Sequence, residues 1–204
     1  MKDITQKYDL LAERYSETDY ADAPTYYRRR AELVLVHGPA VEPGSTVLDF
    51  ACGDGGLGPP LLALGLDYHG VDASARMVEV ARRTLGERVV QGTFEYEPDA
   101  AVDVTTIFRS LYLVPDRREF LERLRAFTRV KLVFDFDPRA YPADAMHRDL
   151  RLAGWDRIAV RPFLMPQRAR LPRPLQAVLF ALEPLPGARV VTSLRFPLLV
   201  SASA

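Results

Sequence analysis

The chain has 204 residues, 48% hydrophobic and 26% charged, a balance that suits one globular domain and excludes a disordered or fibrous chain. Lys and Arg together number 27, as do Asp and Glu, so the basic footprint of a nucleic-acid-binding domain is absent. Cys52 is the only cysteine, no apolar run reaches the ~18 residues of a membrane span, and the opening Met-Lys-Asp-Ile lacks a secretion signal's apolar core; together these predict a cytoplasmic protein.

In chain order, two helices are expected over 4–15 and 24–37. Strand and helix then alternate: a strand over 46–50, a helix over 57–64 with Pro59 and Pro60 in its first turn, a strand over 67–71 and a helix over 74–85. Met77, Val78, Ala81 and Leu85 share one face of that last helix, and Gly86 stands at its C-cap. Short strands follow over 88–91 and 102–108. Asp116 and Glu119 form a capping box that opens a helix with Phe120, Leu124 and Phe127 inward, before a fifth strand over 130–136. A helix over 142–153 ends at Gly154, and strands are expected over 157–164 and 190–200. This alternation predicts βαβ units, a parallel sheet and helices on both faces. We read one domain over 1–204: a helical cover (1–45), a core (46–137) and a C-terminal part (138–204) carrying an insertion at 165–187.

Charge is segregated along the chain. Residues 1–137 sum to −6 and residues 138–204 to +6. The insertion contains Arg168, Arg170 and Arg173 among prolines, then Leu175 to Leu182, apolar but for Gln176. A lone surface helix should have a polar face. The segment is therefore expected first to cover the core or a substrate cleft, next to meet a second protomer, and last to touch a membrane surface.

The first strand runs into Asp49-Phe-Ala-Cys52-Gly53-Asp54-Gly55-Gly56-Leu-Gly58. Glycines beyond the carboxyl end of a strand let backbone turn tightly and approach a ligand. Gly53-x-Gly55-x-x-Gly58 matches a dinucleotide fingerprint, and Asp72 follows at the spacing of a ribose-binding acid. Charge discriminates between ligands. Asp49 and Asp54 beside the turn repel a pyrophosphate and favour a ligand carrying ammonium and sulfonium groups, as S-adenosylmethionine (SAM) does.

The motifs together resemble the class I SAM-dependent methyltransferases of the small bacterial, small-molecule type. Val47 to Gly56 is similar to the family's first motif, His69 to Met77 to its second, Gln91-Gly-Thr93-Phe94 to its third and Val102 to Asp116 to its fourth. Tyr8-Asp9-x-x-Ala12-x-x-Tyr15 resembles the helix preceding the core in many relatives. The resemblance spans roughly residues 4–137. It implies a Rossmann-like, doubly wound, mostly parallel seven-stranded α/β sheet with the last strand antiparallel. It also implies SAM-dependent methyl transfer to an O, N or C nucleophile of a small molecule, with S-adenosylhomocysteine as product. Two departures stand out: Thr93 replaces the acid of the third motif, and Leu111-Tyr112-Leu113 replaces a polar, histidine-rich segment of the fourth.

On this reading Asp72 accepts the ribose hydroxyls, or else caps a helix, and Gly53 and Gly55 pass under the methionine part. Cys52 belongs to the same turn. Asp49 orients the turn or sits near the ammonium, with a buried structural role equally open. Ala73, Met77 and Phe94 flank adenine, with Thr93 in reach of its amino group; Phe108 and Arg109 meet the methionyl end. Tyr15 and Tyr20 are the expected contacts from the aromatic N-terminal cover. A general base is unassigned, with Tyr112, Tyr141 and His147 as candidates. No metal is expected, since the histidines and Cys52 lack ligand spacing. A homodimer is left open and a membrane contact disfavoured. The rival functions are a nicotinamide-dependent oxidoreductase and a non-catalytic SAM-fold binding protein.

Overall fold

The structure is a computed structural model that describes residues 2–185 and 197–204. Its elements are α1 (Lys2–Leu11), α2 (Tyr15–Asp19), α3 (Ala23–Val36), β1 (Thr46–Phe50), α4 (Gly58–Ala63), β2 (Asp67–Asp72), α5 (Ala75–Leu85), β3 (Val89–Gln91) and β4 (Val102–Ile107). They continue with α6 (Arg117–Phe127), β5 (Thr128–Phe136), α7 (Ala143–Leu152), β6 (Arg157–Pro162), α8 (Arg173–Leu182) and β7 (Leu198–Ser203). Seven strands form one sheet in the order β3-β2-β1-β4-β5-β7-β6. The first five are parallel, and β7 runs antiparallel between β5 and β6. Strand order reverses at β1–β4, where a doubly wound sheet opens a crevice at its carboxyl edge.

Side chains alternating along the strands divide the core in two. Val47, Val104, Val133 and Leu199 pack under α3, α4 and α5, while Leu48, Phe50, Phe134 and Val200 pack under α6 and α7. Ser74 and Asp116 cap α5 and α6 through the backbone N–H groups of Met77 and Glu119.

Two buried charges tie α3 to β5. Lys131 donates from Nζ to the carbonyls of Leu35, His37 and Pro39, at 3.3, 2.9 and 2.5 Å. Burial pushes its pKa down to about 8. Four residues along the strand, on the same face, Asp135 pairs with Arg30, whose guanidinium also reaches the Tyr26 hydroxyl at 2.8 Å. Four strand residues span about 13 Å. The rise of α3 from Arg30 to Val36 is about 9 Å, and the carbonyls of His37 and Pro39 beyond its end extend the reach to Lys131.

The structure departs from the sequence reading most at the first helix, the final strand and α8. The first helix does not run through 4–15: it tightens into a 3-10 turn at Ala12–Arg14, where buried Ala12 lets the chain approach α5, and resumes as α2. The final strand reaches Ser203, because small Ser201, Ala202 and Ser203 pair with Ala159, Ile158 and Arg157. The part of that expected strand over 190–196 lies outside the described residues. α8 does not line the crevice: its Phe180 lies under Arg29 of α3, with the guanidinium 4.4 Å from the ring.

Candidate functional site

A cavity opens at the carboxyl ends of β1, β2 and β4. Its floor is backbone. β1 is followed by Ala51, with φ 53°, and Gly53, with φ 59°, so the chain turns through left-handed conformations that cost a non-glycine residue energy. The Gly53 N–H donates to Asp72 Oδ2 at 2.8 Å and the Ser74 N–H to Oδ1 at 2.9 Å. Asp72 thus holds the glycine turn and the start of α5 together while its carboxylate lines the cavity. Burial raises its pKa and the two backbone donors oppose that rise.

Ala73 and Met77 line the cavity after β2, and Thr93 and Phe94 line it after β3. Thr93 accepts the Glu95 N–H at 3.2 Å and so stabilises its own turn. The wall after β4 is Phe108, Arg109, Ser110 and Leu113. Arg109 also has left-handed backbone, φ 57°, held by its N–H donating to Asp135 Oδ1 at 2.6 Å. Its guanidinium donates to the hydroxyls of Tyr20 and Tyr15, at 2.8 and 3.2 Å, and pairs with Asp19 at 3.0 Å. Tyr15 is thereby drawn over the glycine turn, where a Cβ on Gly53 would abut its ring at 3.6 Å.

Of the sequence-expected residues, the structure brings Gly53, Asp72, Ala73, Met77, Thr93, Phe94, Phe108, Arg109 and Tyr15 to the cavity wall. Four others stand behind it. Asp49 is buried beneath the turn, accepting from Thr106 Oγ1 at 2.6 Å and the Tyr68 hydroxyl at 3.0 Å, and burial lifts its pKa to about 6. Cys52 packs against Gly70, and burial pushes its thiol well above the ordinary range. Gly55 faces α5: a Cβ there would strike Leu85 Cδ1 at 2.6 Å, so its glycine serves helix packing and a φ of 76°, not ligand approach. Tyr20 acts through Arg109.

The candidate bases do not reach the cavity wall. Tyr112 is 66% exposed. Tyr141 bonds to Asp149 under the guanidinium of Arg117, and His147 lines a separate apolar groove with Phe136 and Met146. Among the described residues no group of three or more His, Cys, Asp or Glu is gathered to hold a metal ion. Sequence reading missed Ile4, Thr5 and Tyr8 of α1, which close the cavity from above, because a partly exposed helix gives no strong apolar stripe. It also missed Ser110, 5% exposed, whose Oγ has no partner although it lines the cavity. An orphaned buried hydroxyl calls for a ligand or water to satisfy it.

These features fit SAM. The carboxylate of Asp72 lines a largely apolar cleft together with the rings of Tyr8, Tyr15, Phe94 and Phe108, and Asp54, accepting from the Ser16 N–H at 3.2 Å, puts a second carboxylate in the glycine turn, where a pyrophosphate would need cations. Comparison with known proteins agrees. Residues 48–130 match the profile of a family described as a methyltransferase domain, so the family resemblance read from the four motifs is borne out. The fold is that of the class I SAM-dependent methyltransferases. One solved structure sharing it is a SAM-dependent methyltransferase from Thermotoga maritima, described as a possible histamine N-methyltransferase. That match has 16% identity, covers 97% of this chain and 98% of that one, and gives a TM-score of 0.63. Another is the magnesium protoporphyrin IX methyltransferase of Synechocystis with bound SAM, at 15% identity, 95% and 82% coverage and a TM-score of 0.63. A third is a chain of the Haloferax volcanii complex between the Trm112 methyltransferase activator and a methyltransferase, at 20% identity, 96% and 97% coverage and a TM-score of 0.63. No curated protein matches the chain in sequence.

Proposed function

We propose that this protein transfers a methyl group from SAM to an O, N or C nucleophile of a small molecule. The observation that carries the reading is the single cavity in which Asp72, the Gly53 turn and the wall after β4 meet the tyrosine-bearing N-terminal cover. Asp72 retains lone pairs for the ribose hydroxyls after accepting its two backbone donors. Met77, Ala73 and Phe94 offer faces to adenine. Thr93 offers a hydroxyl, in place of a carboxylate, near the amino group. When bound, SAM supplies a methyl group already activated by its sulfonium.

What remains for the chain is to bind, align and exclude water. Tyr15, fixed by Arg109, covers the glycine turn, and Tyr8 closes the cavity from α1. No lining side chain is prepared as a base. Burial and the neighbouring Tyr112 raise the Tyr8 hydroxyl above the usual phenol range, and Asp72 is committed to two donors. The site therefore suits an acceptor that arrives as a competent nucleophile: a neutral amine or an acidic enol or phenol.

Calorimetry tests this reading. Micromolar binding of SAM and S-adenosylhomocysteine with no response to NADH supports it. NADH binding without SAM binding returns the oxidoreductase. Tight SAM binding with no turnover across amine, enol and phenol acceptors favours the non-catalytic alternative.

A further inference from the structure

α8 exposes what a surface helix ordinarily buries. Leu175, Val178 and Leu182 lie along one stripe, at i, i+3 and i+7, and are 45%, 55% and 41% exposed, with Leu185 just beyond at 49%. Gln176, Phe180 and Glu183 lie along the other stripe and face the protein. Gln176 donates to the Leu171 carbonyl at 2.9 Å, and Phe180 lies against Arg29. Glu183 is buried, paired with Arg29 and with Arg161 at 3.1 Å, and accepts the Leu164 N–H at 3.0 Å.

Those three bonds fix the roll of the helix. Turning the leucines inward would pull a buried carboxylate from two cations. The exposed apolar stripe is therefore held outward by design of the contacts beneath it.

Charge indicates what meets the stripe. From residue 157 to 182 the chain has five arginines and no acid. Arg161 is satisfied by Glu183. Arg168, Arg170 and Arg173, immediately before the apolar stripe, are exposed and pair with no acid among the described residues. An outward row of leucine and valine flanked by free arginines complements an anionic headgroup layer over an acyl boundary. The geometry points to α8 and residues 168–173 as a peripheral docking surface for an anionic lipid membrane. A second copy of the chain is a poorer occupant, because it brings the same uncompensated arginines and no acid to meet them. Among the described residues no helix is long and apolar enough to cross a membrane, so this is contact at the interface only.

Vesicle flotation tests it with the full chain. Wild-type protein should float with vesicles of equal parts phosphatidylcholine and phosphatidylglycerol and stay behind with phosphatidylcholine alone. Replacing Arg168, Arg170 and Arg173 together by Glu should weaken binding about a hundredfold, from roughly fivefold per arginine. Val178→Ser with Leu182→Ser should abolish flotation while leaving the melting temperature and SAM titration unchanged, since these side chains are exposed and line no part of the cavity. Absence of flotation with the anionic vesicles overturns the proposal, as does flotation indifferent to either set of changes. A lower melting temperature in the serine variant shows that the stripe is packed by its own chain. A concentration-dependent dimer lost in that variant assigns the stripe to self-association. Either result also overturns the lipid assignment.

Discussion

α3 and the α1–α2 segment both belong to the N-terminal cover, but they are attached to the sheet differently. α3 is held by charges removed from water: Arg30 on Asp135, and Lys131 among three carbonyls at the helix end. α1 buries little; its Leu10 is 84% exposed. It is held by Asp9 accepting from Ser74 Oγ at 2.5 Å, and the 3-10 turn that continues it is held by Glu13 pairing with Arg76 and Arg83 at 2.9 and 2.7 Å, both ion pairs open to solvent. Exposed pairs contribute little and are screened by salt, whereas a broken buried pair is costly. The contrast makes α3 part of the core and α1–α2 a removable cover. Arg109 joins them, with its backbone on Asp135 and its side chain on Tyr15, Tyr20 and Asp19.

The largest expected effect comes from breaking the fixed half. Arg30→Met strands Asp135 in the core and should lower unfolding free energy by about 3–5 kcal/mol in urea titrations. Glu13→Gln should leave the urea midpoint unchanged. Equal shifts in the two variants would abolish the distinction between brace and cover. Next comes the ligand. Asp72→Ala, on the fixed wall, should weaken SAM binding by one to two decades, from the loss of about 1.5–3 kcal/mol of charge-assisted hydrogen bonding. Tyr15→Ala, on the cover, should cost only about twofold to tenfold, as one aromatic contact does. Calorimetry on both variants checks the order, and a larger loss from Tyr15→Ala would reverse the roles assigned to wall and cover.

The same division explains what was legible in the sequence. The sheet, the glycine turn and Asp72 are specified by local signals: apolar strands, caps at Ser74 and Asp116, and glycines where φ is positive. The brace was not legible, because Lys131 and Asp135 sit inside a run that reads only as a strand, and their partners lie 92 to 105 residues away. Gly55 illustrates a subtler limit. Its place in the motif suggested ligand approach, but which side of a turn a missing Cβ would occupy depends on α5 packing. Tyr112, Tyr141 and His147 were chosen by chemistry alone; nothing in their local sequence encodes distance from the cavity. α8 was legible as apolar, but its roll is set by Glu183 meeting Arg29 across 154 residues.

A smaller effect should appear in hydrogen exchange. At about 1 M salt the Debye length falls to ~3 Å, which weakens the Glu13 pairs and hardly touches Arg30–Asp135. Amides of α1 should then exchange several-fold faster, and those of α3 at an unchanged rate. S-adenosylhomocysteine should restore protection to α1, because Ile4, Thr5 and Tyr8 line the ligand cavity. Uniform acceleration of α1 and α3 would mean that the cover opens only by global unfolding.

The smallest net effect is expected from pH, because two buried groups oppose one another. His37, at the end of the brace, has its pKa pushed down to about 4 by burial and the nearby Arg161 charge. Between about 4 and its unfolded value near 6.5, the unfolded chain binds a proton that the native state refuses, so stability falls as pH drops. Asp49, beneath the glycine turn, has its pKa raised to about 6 by burial. Between its unfolded value near 3.9 and about 6, the native state holds a proton that the unfolded chain has lost, so stability rises as pH drops. The windows overlap almost completely and the two slopes nearly cancel. Asp54 and Asp72, also raised by burial, reinforce Asp49, while Glu13 and Asp137, lowered by their hydrogen bonds from Arg83 and Arg139, side with His37. Unfolding free energy of the wild type should therefore stay nearly level from pH 6 to pH 4. His37→Gln should remove the opposing slope and make the protein gain stability over that interval, and Asp49→Asn should make it lose stability. Parallel pH profiles for the two variants would show that neither group is coupled to folding as its burial requires.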